Sequence, residues 1–151
     1  MTFRKVVLLA PIAYVLHILE EAPSFVAWTR LYPGWFSPTL SQTAYVVVNA
    51  VYMLLVVGAV LLCARRSAVT LGLAAILFLF SNAVFHIAFT VLSGTYSPGT
   101  VTALLLYVPL TFATFYCAGR EGLLSVRRVL GAAFLGVLVA NAPLRIMQRW
   151  V

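Results

Sequence analysis

Long apolar segments constrain this chain more than any other feature of its sequence. Five mostly apolar stretches follow one another, each near the roughly 20 residues that an α-helix needs to cross a membrane. Only 9% of the residues are charged, whereas a soluble domain carries about a quarter. We therefore expect an all-α, polytopic membrane helical bundle that forms a single domain over residues 1–151. The five predicted transmembrane helices cover Phe3–Ala22, Ser41–Cys63, Val69–Leu92, Thr100–Ala118 and Val126–Met147.

The basic residues indicate how this bundle is oriented. Counting Lys and Arg in alternate connections puts seven on one side of the membrane and three on the other. The positive-inside rule then predicts that the N-terminus is in the cytoplasm and the C-terminus outside. The first group contains Arg4, Lys5, Arg65, Arg66, Arg120, Arg127 and Arg128, and the second contains Arg30, Arg145 and Arg149.

The same distribution explains the net charge of +7. Basic residues that flank apolar segments face anionic lipid headgroups, so membrane lipids are the expected partners and nucleic acid is not. The sequence leaves a homo-oligomer open.

Ionisable residues inside the apolar segments mark the candidate site. The chain has three acidic residues and two histidines, and four of these five lie in predicted membrane helices. Such residues are costly within a membrane and are usually functional. His17, Glu20 and Glu21 project from one face of the first helix, because the glutamates follow the histidine by three and four residues. Asn82 and His86 are one turn apart on the third helix.

The two histidines are predicted to meet at one depth in the membrane. The first and third helices run in the same direction, and His17 precedes Pro23 by six residues while His86 precedes Gly94 by eight. At about 1.5 Å per residue, both lie roughly 9 to 12 Å below the outer ends of their helices. We expect both rings in one polar cavity of the outer leaflet half, with Asn82 one turn deeper. This cavity is expected to open outward or into the outer leaflet, beneath the aromatic residues of the first loop.

Further polar residues lie towards the same end of the bundle. Gln42, Tyr45 and Asn49 form a stripe at the start of the second helix and are expected to bond neighbouring helices. Arg145, near the end of the fifth helix, is a candidate catalytic residue, and a snorkelling terminal arginine is the alternative interpretation.

The residue types favour a metal site. Two adjacent carboxylates in a medium of low dielectric constant need a metal ion, another cation or a shared proton. Imidazole and carboxylate groups match the ligand preferences of zinc and iron. We therefore predict one divalent metal ion, zinc or iron, bound by His17, by Glu20 or Glu21, and by His86, with Asn82 as a further candidate ligand. The candidate catalytic residues are His17, Glu20, Glu21 and Arg145.

The segment His17-Ile18-Leu19-Glu20-Glu21 resembles the signature of the HXXEE-domain family, small bacterial membrane proteins named for that pattern. The Asn82/His86 pair and the YSPG turn at residues 96–99 are similar to further parts of its pattern. The resemblance covers nearly the whole chain. It implies a multi-pass protein of the bacterial inner membrane with the same candidate site, and it implies no reaction.

Three functions are open on this evidence. The first is a membrane-embedded, metal-dependent enzyme that acts on a lipid-like or other hydrophobic substrate. The second is a metal-free acid/base isomerase or cyclase of an isoprenoid-like or sterol-like substrate, in which a protonated glutamate donates to an alkene. The third is a proton-coupled transporter or small-ligand binding protein that uses the same glutamates as proton relays.

Overall fold

The chain is all-helical, as predicted, over the residues that the computed structural model describes, and these contain no strand. The described residues are 1–36, 39–63 and 68–147, with side chains described as far as Ala140. Arg65, Arg66 and Arg149, which entered the orientation prediction, therefore lie outside them. The helices are α1 (Phe3–Val7), α2 (Ala10–Glu21), α3 (Phe25–Thr29), α4 (Gln42–Leu62), α5 (Val69–Ser93), α6 (Thr100–Arg120) and α7 (Val126–Met147).

Three helices of the described chain, and not the five predicted, are long and apolar enough to cross a membrane. They are α4, α5 and α6. Their length and composition are those of a membrane protein. The orientation of the bundle stays a prediction.

The prediction of a continuous first span is wrong, because the helix breaks before Pro11. Proline has no amide N–H to donate, and its ring clashes with the carbonyl group four residues earlier, here that of Val7. The amide of Leu9 instead bonds the carbonyl oxygen of Val6 at 3.0 Å, which is a tighter turn than an α-helix. The helix that carries the HXXEE segment, α2, is consequently only 12 residues long.

The fifth predicted span forms a helix, but one with a short apolar run. Helix α7 has 22 residues. Arg127 and Arg128 lie at its start and Arg145 lies near its end, so the apolar run covers only residues 129–144. This is shorter than the roughly 20 residues that a span needs.

Helix α5 lies at the centre of the bundle and packs against α2, α4, α6 and α7. Its side chains Leu73, Ile76 and Leu79 are almost completely buried. Such an apolar surround leaves few polar groups to bond between helices.

The polar stripe at the start of α4 bonds α2 and the residue that follows it, which confirms the prediction for these residues. The side-chain nitrogen Nε2 of Gln42 donates to the carbonyl oxygen of Ala22 at 3.4 Å. Asn49 Oδ1 accepts a hydrogen bond from the Tyr14 hydroxyl at 2.7 Å. Tyr45 donates to a carboxylate of the candidate site, described below.

Close packing of α5 and α7 depends on Gly136. A Cβ atom at this position would lie 3.1 Å from the carbonyl oxygen of Ala74 and 3.1 Å from the amide nitrogen of Phe78. Helix backbone atoms cannot turn aside as a side chain can, so Gly136→Ala should destabilise the bundle by roughly 1–3 kcal/mol, as overpacking does. Denaturant titration of the protein in detergent would measure this change.

Gly58→Ala is the matched control for this prediction. Gly58 lies inside α4, and nothing is within 4 Å of its Cβ position. Since alanine is favoured over glycine in a helix by about 1 kcal/mol, this change should be neutral or stabilising. Equal effects of the two substitutions would show that the close approach at Gly136 does not limit packing.

Candidate metal centre

His17 of α2 and His86 of α5 lie side by side, which confirms the prediction that they converge. Their ring centroids are 5.0 Å apart, and the rings meet edge to face. The two residues are 1% and 0% exposed. The convergence follows from the packing of α2 beside α5, with both helices ending at the same side of the bundle.

Glu21 lies between the two imidazoles. Its Oε1 atom is 3.4 Å from Nε2 of His86, and its Oε2 atom is 3.9 Å from Nε2 of His17. The hydroxyl group of Tyr45 in α4 donates a hydrogen bond to Oε2 at 2.8 Å. We call His17, Glu21 and His86 the His/Glu group. All three are buried, each offers one ligand atom, and these atoms lie within 4.8 Å of one another, so the group could hold a metal ion.

The free ring nitrogens support this interpretation. Among the described residues, neither His17 Nε2 nor His86 Nε2 has a hydrogen-bond partner, although both atoms are buried. Leaving such atoms unpaired costs about 1–3 kcal/mol each. A tetrahedral ion with bonds of about 2 Å holds its ligand atoms roughly 3.3 Å apart. The nitrogen–oxygen separations are 3.4 and 3.9 Å, to different oxygens of Glu21, and one ligand atom from each residue lies within 4.8 Å of the others. After modest side-chain shifts, one ion between the three side chains would satisfy both nitrogens.

The opposite ring nitrogens are held by hydroxyl groups. His17 Nδ1 lies 3.0 Å from Oγ1 of Thr102, and His86 Nδ1 lies 3.0 Å from Oγ of Ser97. Histidine ligands of metals in proteins almost always bond their second nitrogen in this way, which orients the ring. Both Nε2 atoms are therefore directed at Glu21.

The turn between α5 and α6 covers the two rings. Helix α5 ends at Gly94, which has a left-handed conformation, and the turn returns the chain to the site at Ser97, which is fully buried. Gly99 has φ +96°, and a Cβ atom there would lie 2.6 Å from Cε1 of His17. Only glycine allows the backbone to approach the imidazoles this closely.

The His/Glu group is therefore closed, and the predicted open cavity is wrong for the described structure. Phe25 of α3 adds to the cover, with its ring centroid 6.2 Å from that of His86 and 5.6 Å from that of Tyr45. The aromatic residues of the first loop pack beside the site, which they reach through Phe25. Their rings form one cluster with two phenylalanines of α5: Phe25, Trp28, Tyr32, Trp35, Phe36, Phe85 and Phe89.

Glu20 is not a member of the His/Glu group, and its carboxylate bonds the start of α6. Its carboxylate accepts hydrogen bonds from the amides of Val101 and Thr102 at 3.1 and 2.7 Å, from the Thr102 hydroxyl at 2.5 Å, and from the Tyr96 hydroxyl. Burial raises the pKa of the Tyr96 hydroxyl to about 12, and its bond to Glu20 acts in the same direction, so this phenol stays protonated at neutral pH. Of the two glutamates between which the sequence did not decide, the structure places Glu21 with the histidines.

Asn82 and Arg145 are the remaining predicted site residues. Asn82 is half-buried on α5, and its Oδ1 atom has no hydrogen-bond partner in the described part of the chain. Its role as a ligand stays a prediction. The side chain of Arg145 lies outside the described residues, so its catalytic role also stays a prediction.

Sequence reasoning missed two residues that contact His17. One is Thr102, described above. The other is Tyr107, whose ring centroid lies 4.8 Å from that of His17 and whose buried hydroxyl has no hydrogen-bond partner among the described residues. Tyr107 ends a π-helical turn, Ala103–Tyr107, and such turns are frequent at functional sites. The available signal was Pro109, which cannot donate to the helix ladder and so favours an irregular turn before it.

Comparison with known proteins identifies the family. Residues 8–114 match the family described as "Protein of unknown function with HXXEE motif". No curated protein and no solved structure matched significantly. The matched range contains all three members of the His/Glu group, together with Glu20 and the turn that covers the histidines. Because the match spans well over half of the chain, the protein belongs to the HXXEE family.

Proposed function

We propose that this protein is a membrane-embedded metalloenzyme in which the His/Glu group binds one divalent metal ion. One observation carries the proposal: two buried imidazole nitrogens without hydrogen-bond partners among the described residues face the same buried carboxylate. A carboxylate enclosed by a bundle of this composition needs a compensating charge. A divalent ion provides that charge and uses both nitrogens at once.

The donor set supports a catalytic metal over a structural one. Structural zinc sites are closed by four protein ligands, whereas catalytic sites use three and keep one position open. Two imidazoles and one carboxylate are such a three-ligand set, and the same set binds non-haem iron(II). A bound metal would supply Lewis-acid chemistry to a substrate oxygen. The chain itself contributes the ligands, the Tyr45 hydroxyl that orients Glu21 and a cover that excludes water.

The surroundings support a lipid-like or other hydrophobic substrate. The His/Glu group is enclosed between α2 and α5, with α4 and α6 beside them. Helices α4, α5 and α6 could cross a membrane. The outer face of α2 exposes Leu16 and Leu19. A polar substrate would have to leave water and pass apolar side chains, which costs several kcal/mol for each unpaired polar group. The setting we propose is the bacterial inner membrane.

A metal-free acid/base site is the second candidate. It is favoured by the burial of Glu21, at 5% exposure. A proton could compensate the buried charge as a metal does. Glu21 would then exchange a proton with the substrate, and the two candidates differ in whether a metal is required.

Metal content separates these two candidates. Protein purified in detergent and exposed to Zn²⁺ or Fe²⁺ should retain about one metal ion per chain after desalting, measured by elemental analysis. Lowering the pH should release the metal, because protons compete with it for the imidazole nitrogens. A protein that binds neither metal would contradict the proposal and favour acid/base chemistry.

A further inference from the structure

We infer that Glu20 is a positioning residue: through the hydroxyl group of Thr102, it selects the tautomer of His17 whose Nε2 atom is free to bind the metal. The inference rests on the proposed function and extends it to the whole HXXEE motif. On this reading His17 and Glu21 are ligands, whereas Glu20 acts on His17 from outside the metal site.

The Glu20 carboxylate is surrounded by hydrogen-bond donors. Four donors converge on it: the hydroxyls of Tyr96 and Thr102 and the amides of Val101 and Thr102. The residue that precedes the first turn of α6 is Gly99, which has no side chain to cap these amides. A carboxylate from α2 does so instead, and a negative charge is favoured at a helix N-terminus. Glu20 is therefore an ionised group that only accepts hydrogen bonds.

The Thr102 hydroxyl has a single proton to donate. Its oxygen is 2.5 Å from Oε2 of Glu20 and 3.3 Å from the carbonyl oxygen of Gly99. Hydrogen bonds to an ionised acceptor are shorter and about twice as strong as neutral ones, so the hydroxyl donates to Glu20. The hydroxyl oxygen can then only accept from His17 Nδ1, which lies 3.0 Å away.

The hydrogen bond at Nδ1 determines the tautomer of the His17 imidazole. A neutral histidine carries one hydrogen, and if Nδ1 donates to Thr102, the lone pair is on Nε2. That atom faces Glu21 and has no hydrogen-bond partner among the described residues. A metal needs this tautomer, because a protonated nitrogen cannot ligate.

His86 provides an internal comparison. Its Nδ1 atom meets the Ser97 hydroxyl at 3.0 Å. In the described part of the chain no carboxylate accepts from that hydroxyl, so its proton is free to point either way. The hydrogen bonds of the structure thus fix the tautomer of His17. They do not fix the tautomer of His86, which metal binding would determine.

Thr102→Val is the direct test, because it removes the hydroxyl and keeps the shape of the side chain. We expect His17 to move its hydrogen to Nε2, which faces Oε2 of Glu21 at 3.9 Å, and the affinity for Zn²⁺ to fall 10–100-fold, as on loss of an outer-shell partner. Thr102→Ser keeps the hydroxyl and should restore both properties. The tautomer is read from ¹⁵N chemical shifts of labelled histidine in metal-free protein, with His86→Gln assigning the signals of the two histidines in the chain.

A double-mutant cycle tests the route through Thr102. Glu20→Ala alone should lower the affinity for Zn²⁺ and disturb the His17 tautomer. In the Thr102→Val background the same change should have little further effect on either, since Glu20 acts through a hydroxyl that is already absent. A merely structural loss of the helix cap would instead reduce the affinity in both backgrounds.

The two proposals fail differently. Wild-type protein with the His17 hydrogen on Nε2, or an unchanged tautomer in Thr102→Val, would overturn the role of Glu20 whether or not metal binds. Failure of the wild-type protein to bind Zn²⁺ or Fe²⁺ would overturn the metal site, and the Nδ1–H tautomer would still show that Glu20 and Thr102 orient His17.

Discussion

Glu21→Gln is expected to abolish metal binding, with a loss of affinity larger than the 10–100-fold that removal of an outer-shell partner costs. Glutamine has the size of glutamate and can still accept the hydrogen bond from Tyr45. It lacks the charge that compensates the ion and is a weak ligand for zinc or iron. Glu21 is the acidic member of the His/Glu group. No other described carboxylate belongs to the group and could act as the ligand in its place. Competition with a chelator of known affinity, in detergent, would measure the loss.

Two other glutamates supply matched controls for this prediction. Glu121→Gln should leave metal affinity unchanged, because Glu121 bonds the amide of Phe3 far from the histidines. Glu20→Gln should cost less than Glu21→Gln, since glutamine still offers an oxygen to the Thr102 hydroxyl. A larger loss for Glu20→Gln would exchange the roles assigned to the two residues.

Gly99→Ala is expected to disrupt the His/Glu group and to destabilise the protein. The added Cβ atom would lie 2.6 Å from Cε1 of His17 and 3.2 Å from Cε1 of His86, so at least one ring must move. The backbone at φ +96° is also unfavourable for alanine, at a cost of about 1–2 kcal/mol. The metal affinity should fall as the rings separate, and denaturant titration in detergent should show the loss of stability.

Gly94→Ala separates the clash from the backbone strain. Gly94 has φ +66° and lies in the same turn, but nothing is within 4 Å of its Cβ position. This variant should show the strain alone and keep its metal affinity. Equal losses of metal affinity in the two variants would mean that the contact of Gly99 with the histidines does not shape the site.

The meeting of the two histidines could be predicted because it depends on distances along helices. His17 and His86 stand at similar distances from the ends of helices that run in the same direction, and rise per residue is a fixed property of the α-helix. The choice between Glu20 and Glu21 could not be predicted in this way. The two residues differ by about 100° around the helix axis, and the rotation of α2 is set by its packing against α4 and α5.

The departures from the predicted fold have local causes that an apolar count does not include. A count of apolar residues predicts a continuous first transmembrane helix. It does not take into account that Pro11 interrupts the backbone hydrogen bonds of that helix. The contacts of Thr102 could not be predicted from the sequence for another reason. It contacts Glu20 and His17 across more than eighty residues of sequence, and a threonine at the start of a helix is too common to indicate such a contact.

The layout of the His/Glu group has a consequence for biosynthesis. Two ligands are made early, on α2, and the third belongs to α5, while the cover and the hydroxyl that orients His17 come still later in the chain. A nascent chain that has been made only as far as α2 can offer a metal just two of three ligands. If the protein carries a metal, loading is a late step of maturation that waits for α5. Because the finished group is closed, the ion must enter before the turn settles over the imidazoles or when that turn lifts.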